Sequence, residues 1–565
     1  MKPMIERLPP RERDLTQDPL WYRTAVFYEV LTRSFRDTDD EGVGDLKGVI
    51  SRLDYLAWLG VDAIWLPPFY PSPVRDCGYD VTDFTSVDPH LGTMKDFEKL
   101  VAEVHKRGMR ITLDLVLNHT SDQHPWFQAS REDPNGPYGD YYVWSDTDQK
   151  WPEARVIFTS AEESNWAWDP VRGQYYWHRF YSHQPDLNYE NPAVQDEMIA
   201  VARFWLKKGI DGFRLDAVPY LFEDDANAGE NDPRTHEFLR RLRRIVDEEF
   251  PGAVLLAEAN QPPAEAAAYF GTDEEPECHL CFHFPVMPRI FHAIKAQDAT
   301  RLRQVLHDTP DPAAGGQWAT FLRNHDELTL EMVSEEEREQ MFAWYAPDPR
   351  MRIHTGIRRR LAPLLNNSLD AIQLAHALIL SLPGTPCLYY GDEIGMGDNV
   401  WLHDRDSVRT PMQWTPDRNA GFSKADPGAL YLPVVQSLLH HYVGVNVEAS
   451  LAQPTSLLYW LRAFLKARAH HPAFSDGGYQ DVPSTEAPIF SFLRTHPDES
   501  VLVAMNFSEH QCSALLTIPD YAGAPVRTIV SRTRFQDVGD DGTLRLTFGP
   551  YSFYWLVVNH DPRDR

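Results

Sequence analysis

The chain has 565 residues, 43% of them hydrophobic, and a formal net charge of −29. That length calls for one large domain with one or two smaller ones, and the charge argues against nucleic acid and anionic membrane surfaces as partners. No apolar run approaches the roughly 18 residues of a membrane span, the first twenty residues carry no apolar leader segment, and five cysteines fit a reducing compartment, so a cytoplasmic protein is expected.

From residue 25 to about 395, apolar runs of strand length alternate with helix-forming stretches. The runs are 25–31, 61–66, 109–118, 210–218, 253–259, 280–284, 319–324 and 386–390; helices are expected over 45–59, 95–106 and 233–249. Strand–helix alternation specifies a parallel sheet, and eight units close most naturally into a (β/α)8, or TIM, barrel. A doubly wound open sheet is the alternative, although no Gly-rich phosphate loop follows the first strand.

Two stretches interrupt the alternation. Residues 121–185 hold six of the sixteen tryptophans and read as a small aromatic-rich subdomain inserted after the third strand, most of its rings being that subdomain's own core. Residues 334–365, highly charged and containing Arg358-Arg359-Arg360, read as a lid or as a solvated helix pair. The barrel would then comprise 1–120 and 186–470. From 475 to 565 short alternating runs separated by Gly, Pro and Asp predict an antiparallel β-sandwich.

Three of the apolar runs deliver acidic residues: Asp216 after Gly212-Phe213-Arg214-Leu215, Glu258 after Val254-Leu255-Leu256-Ala257, and Asp326 in Asn324-His325-Asp326. Parallel barrel strands present such residues at one rim. Separated carboxylates at one rim suit glycosidic chemistry, in which a proton donor and a nucleophile flank one bond. Arg214, two residues before Asp216 on the same strand face, would keep it ionised. The apolar approach to Glu258 is compatible with a raised carboxyl pKa.

The segments Asp114-x-x-x-Asn118-His119, Gly212-Phe213-Arg214-x-Asp216, Glu258 and Asn324-His325-Asp326 occur in the order of the four signature segments of the α-amylase superfamily, which the chain resembles over about residues 20–565. The Asp216–Leu221 and Glu277–Leu280 stretches are similar to those of the superfamily's maltose-to-trehalose isomerases. The resemblance implies Asp216 as nucleophile, Glu258 as general acid/base and Asp326 as transition-state stabiliser. It implies intramolecular glucosyl transfer from maltose to trehalose, with hydrolysis of short α-glucosides as the alternative. Tyr79, Asp80, His119, Gln184, Arg214, His325 and Arg409 would bind the disaccharide, Tyr79 by stacking and Asp80 and Arg409 at the blind end, though Arg409 could equally brace its loop.

The resemblance also implies two cation sites, for Ca²⁺ with Mg²⁺ as an alternative in the first. One is the loop Asp37-x-Asp39-x-Glu41-x-Val43-x-Asp45, whose oxygens alternate around glycines as hard cations require; an acidic turn without metal is the competing reading. The other would join Asn118, Asp186 and Glu223 with the carbonyls of Tyr220 and Leu221. Cys278-x-x-Cys281 with His279 and His283 lacks the second ligand pair of a zinc site. The expected partner is a small disaccharide; self-association into a homo-oligomer is left open.

Overall fold

The computed structural model describes residues 13–558 apart from 314, 532 and 533, so the ends of the expected barrel and C-terminal ranges, 1–12 and 559–565, lie outside the described residues. Eight parallel strands close a barrel: β1 Phe27–Glu29, β2 Ala63–Leu66, β3 Arg110–Val116, β4 Gly212–Asp216, β5 Val254–Ala257, β6 Leu280–Phe282, β7 Gln317–Phe321 and β8 Thr385–Tyr389. Each pairs with the next in sequence, and β1 closes on β8. Every expected apolar run overlaps one strand, because a strand buried on both faces must be apolar throughout. The open-sheet alternative is excluded by the closure.

Helices cover the outside. Met94–His105 starts with a reciprocal capping box between Thr93 and Asp96, and Pro233–Glu249 has the expected bounds. The helix expected over 45–59 is two, Leu46–Ile50 and Leu53–Leu59. Asp45 caps the first by accepting from the Gly48 N–H, and Gly60 ends the second in the left-handed region, at φ 107°.

Between β3 and β4 the chain leaves the barrel to form the helix Pro125–Glu132 and a three-stranded antiparallel sheet of Trp144–Ser145, Gln174–Trp177 and Trp166–Asp169. Trp151, Trp166 and Trp177 pack on one another with ring centroids 5.0–5.5 Å apart and form a separate small core with Val143 and Ala154. After β7 comes a second excursion: the strand Leu328–Thr329, the helix Glu335–Tyr345 and the strands Arg352–Ile353 and Gly356–Ile357.

The C-terminal region packs a five-stranded antiparallel sheet against a two-stranded one, Cys512–Thr517 with Thr543–Phe548. Alternation along Ile489–His496 and Glu499–Asn506 divides the larger sheet between two cores. Phe490, Phe492, Val501, Val503 and Met505 join the barrel core, whereas Ile489, Leu493, Leu502 and Ala504 face the smaller sheet. Two of its strands, Gly478–Asp481 and Phe553–Val558, were not expected from the sequence.

Candidate active site

Strand register brings the acidic residues together. In β3 and β4, Asp114 pairs with Arg214 and Val116 with Asp216, and the Glu258 N–H continues the ladder by donating to Leu215 O. Asp114, Arg214 and Asp216 therefore project to the barrel interior at successive levels. Buried Arg214 joins three carboxylates: it donates to Asp114 at 2.7 Å, to Asp216, and lies 2.5 Å from Glu258. Immediately after Asp216 the chain turns through Ala217 in the left-handed region, at φ 53°. This unusual conformation for a residue with a Cβ aims the Ala217 N–H at Glu258 Oε2, 3.0 Å away.

Asp216, Glu258 and Asp326 line one cavity, with Tyr79, His119 and Tyr220 in its wall. Burial raises Asp216 to about 6 against the opposing pull of Arg214. Burial raises Glu258 further, to about 7, with Arg214 and the Ala217 N–H opposing and Asp216 reinforcing. Burial acts on Asp326 in the same direction, but His325, Arg405 and Arg409 outweigh it and hold that carboxyl well below the ordinary range. The three carboxyls thus differ in protonation within one cavity: Asp326 is the most acidic and Glu258 takes up a proton first.

Of the residues expected to bind sugar, Tyr79 and His119 line the cavity. Burial lowers His119 to about 4, so its ring is neutral at neutral pH, and its Nε2 has no protein partner. His325 is fully buried beneath them: its ring stacks on Tyr79 at 5.3 Å and its Nε2 lies 3.2 Å from Asp326 Oδ2. Arg409 donates to His325 O and, at 2.9 Å, to Asp326 Oδ1, and so braces the catalytic loop. Gln184 is buried and donates to Asp76 Oδ2 at 3.0 Å.

Asp80 is a correction. It is fully buried, and its carboxylate accepts from Ser72 Oγ and from the Arg75 and Asp76 N–H groups. The carboxylate in the cavity wall is Asp76, four residues earlier in the same segment, whose Oδ1 receives Arg405 at 2.6 Å. Cys77 and Gly78, both at positive φ, reverse the chain between them, so Asp76 and Tyr79 face the cavity while Asp80 closes the turn. Arg405 was also missed: it links Asp76 to Asp326 Oδ1, the latter at 3.0 Å. An arginine four residues before Arg409, in a loop without periodicity, gives no sequence signal of its own.

The two excursions meet above the cavity. Phe158 stacks on His354 with centroids 4.3 Å apart, and Ser160 Oγ accepts from the His354 N–H at 2.7 Å. The Arg405 guanidinium lies under Phe158, 4.8 Å from the ring centre, and Tyr181 donates to Asp404 at 2.9 Å. The charged excursion therefore packs against the aromatic one and does not stand free as a solvated helix pair.

In the second of the two residue sets expected to bind cations, Asn118 and Asp186 are buried and Glu223 is half-buried, and each keeps one buried oxygen without a hydrogen-bond donor. Burial raises Asp186 to about 8, and burial together with Asp186 raises Glu223 well above its ordinary value. In the first loop the carboxylates of Asp37, Asp39 and Asp45 converge within 4.8 Å of one another. Glu41 is not among them; it is exposed and faces His90 at 3.6 Å, because the chain turns at Gly42, whose N–H donates to Asp37. Val43 is half-buried in the same turn. Cys278 and Cys281 are buried thiols, and His279 Nδ1 accepts from the Leu255 N–H.

The family model of the α-amylase catalytic domain matches residues 29–346 and 350–477, and that of the maltogenic amylase C-terminal domain matches 480–555. The chain is 54% identical over 562 residues to the trehalose synthase/amylase TreS of Mycolicibacterium smegmatis, covering 97% of this chain and 95% of that one. It is 53% identical over 559 residues to the trehalose synthase of Pimelobacter sp., covering 97% of each. Among solved structures, the trehalulose synthase MutB of Pseudomonas mesoacidophila superimposes with a TM-score of 0.75 at 29% identity, covering 95% of this chain and 99% of that one. A closed barrel with its carboxylates on one rim, a matching catalytic-domain model and relatives above half identity agree: the chain belongs to the α-amylase family.

Proposed function

We propose that the protein isomerises maltose to trehalose by transferring a glucosyl unit within one closed cavity. A carboxylate oxygen of Asp216 attacks C1 of the non-reducing glucose, and the bond from C1 to O4 of the second glucose breaks as Glu258 gives O4 its proton. The glucosyl ester on Asp216 is then attacked by the C1 hydroxyl of the freed glucose. Glu258 takes that hydroxyl's proton and Asp216 leaves, so two inversions give net retention. Asp326, ionised under His325, Arg405 and Arg409, faces the positive charge that develops at the anomeric centre. Arg214 holds the nucleophile and the acid on one guanidinium.

One observation favours transfer over hydrolysis: Phe158 in the cavity wall stacks on His354 of the second excursion, a contact that would help to retain the freed glucose and keep water out. Incubation with maltose tests the reading. Trehalose is the expected product; glucose alone would replace it with the α-glucosidase reading, and unchanged maltose would remove both.

A Ca²⁺ ion would suit Asn118, Asp186 and Glu223, since each keeps a buried oxygen without a donor and hard cations take oxygens of this kind. Held there with the Tyr220 and Leu221 carbonyls, it would tie the end of β3 and the base of the aromatic excursion to the loop that follows Asp216. The loop of Asp37, Asp39 and Asp45 would hold a second Ca²⁺, or Mg²⁺; either ion would be structural. All five cysteines are free and no described helix is long and apolar enough to cross a membrane; the thiols support a reducing, cytoplasmic setting.

A further inference from the structure

The barrel interior holds a carboxylate that the mechanism above does not use. Glu29, the last residue of β1, is fully buried, pairs across the sheet with Trp65 and Tyr389, and does not line the cavity. Its Oε1 meets His325 Nδ1, while its Oε2 has no hydrogen-bond partner. An isolated buried carboxylate is too costly to retain its charge, and the group in contact with Glu29 that can compensate it is the imidazole. The other edge of that imidazole lies 3.2 Å from Asp326 Oδ2. Asp326 Oδ1 is held separately by Arg405 and Arg409, at 3.0 and 2.9 Å.

We propose that Glu29 is a positioning residue for glucosyl transfer, holding His325 by Nδ1 so that the edge of its ring carrying Nε2 stays within ion-pair distance of the second oxygen of Asp326. The arrangement is a carboxylate–imidazole–carboxylate chain running from β1 to the end of β7, in which the inner carboxylate sets the tautomer and basicity of the ring. With both ring nitrogens protonated, His325 donates to Glu29 and carries its positive charge 3.2 Å from Asp326 Oδ2. The ring cannot swing away, because Tyr79 stacks on one face and Trp65 meets it edge-on at 5.8 Å. The charged groups acting on it are Glu29 from β1, Asp114 from β3, Asp326 after β7 and Arg409 from the loop after β8. Burial opposes protonation of His325, and Asp326 and Glu29 overcome it, raising the pKa. Glu29→Gln keeps the size of the side chain and removes the charge that favours imidazolium.

The inference rests on the role given to Asp326, and the test separates the two. Steady-state cleavage of 4-nitrophenyl α-D-glucoside reports glycosidic fission whether the glucosyl group passes to water or to a sugar. E29Q should lower kcat on the order of ten- to hundredfold with KM within about twofold. In an H325N background the same substitution should have no further effect on kcat. A wild-type kcat in folded E29Q would overturn the proposal, as would full additivity with H325N. The wild-type protein provides a second measurement: a downfield imidazole N–H proton resonance, assigned to His325 by its loss in folded H325N. Absence of that resonance from the wild type would equally overturn the proposal. If D326N keeps wild-type activity, the catalytic reading fails first, whatever E29Q does.

Discussion

The floor and the cover of the cavity are built on opposite principles. The floor is made of strand ends: Asp114, Arg214, Asp216 and Glu258 come from three adjacent strands in fixed register, and ion pairs pin them in place. The cover is made of two excursions that touch through a ring stack, a few hydrogen bonds and Arg405. A floor of this kind fixes which bond is made and broken. A cover held by a handful of contacts can open, and while closed it decides which hydroxyl meets the glucosyl ester.

The largest effects are expected from the floor. Asp216→Ala removes the covalent route and should lower turnover of maltose on the order of 10⁴-fold or more. Glu258→Gln removes proton donation, worth about 10²–10⁴-fold. Both variants should keep wild-type circular dichroism. Turnover close to wild type in either would show that the floor is not where the chemistry occurs.

The floor also fixes the pH profile. Asp216 must be ionised and Glu258 protonated, and their pKa values lie near 6 and 7. Activity on maltose should therefore rise as pH passes about 6 and fall as it passes about 7, changing roughly tenfold per pH unit on the outer limbs. Glu258→Gln should abolish the alkaline fall; a fall that persists in that variant would assign it to another group.

The cover should give smaller effects of a different kind. His354→Ala removes the stack on Phe158, worth about 0.5–1.5 kcal/mol, and should raise the share of free glucose over trehalose about two- to tenfold with little change in maltose consumption. With labelled glucose added, little label should enter trehalose in the wild type and more in the variant. Full equilibration of label by the wild type at the rate of isomerisation would show that the cover does not retain the intermediate.

The smallest effect concerns the cation proposed for Asn118, Asp186 and Glu223. Asp186 and Glu223 have raised pKa values, so they favour the folded state while protonated, below their unfolded values near 4; the contribution of Asp186 is lost as pH rises through about 8. A chelator should lower the melting temperature by about 2–4 °C, and more at pH 8 than at pH 6. An equal shift at both values, or none, would argue against a cation held by these carboxylates.

Much of the floor was legible before the structure. Eight buried parallel strands must be apolar throughout, and acidic residues ending such runs arrive at one rim, so Asp216, Glu258 and Asp326 could be grouped from sequence position alone. The choice between Asp76 and Asp80 was not legible. Both lie in one five-residue segment, and which of them faces the cavity depends on two consecutive positive φ angles at Cys77 and Gly78. Glu41 in the acidic loop failed in the same way, because the turn at Gly42 sends its side chain outward.

Periodic patterns thus determined the barrel, the catalytic strand ends and the change of character at the C-terminal sheets, because burial against a regular element imposes a repeat on the chain. The tertiary structure alone decided the partners: Arg405 between Asp76 and Asp326, Glu29 behind His325, and Phe158 against His354. These pairs are separated by tens to hundreds of residues and lie largely at strand ends and in loops. Their contacts follow from where the closed barrel places its rim, which no local pattern encodes.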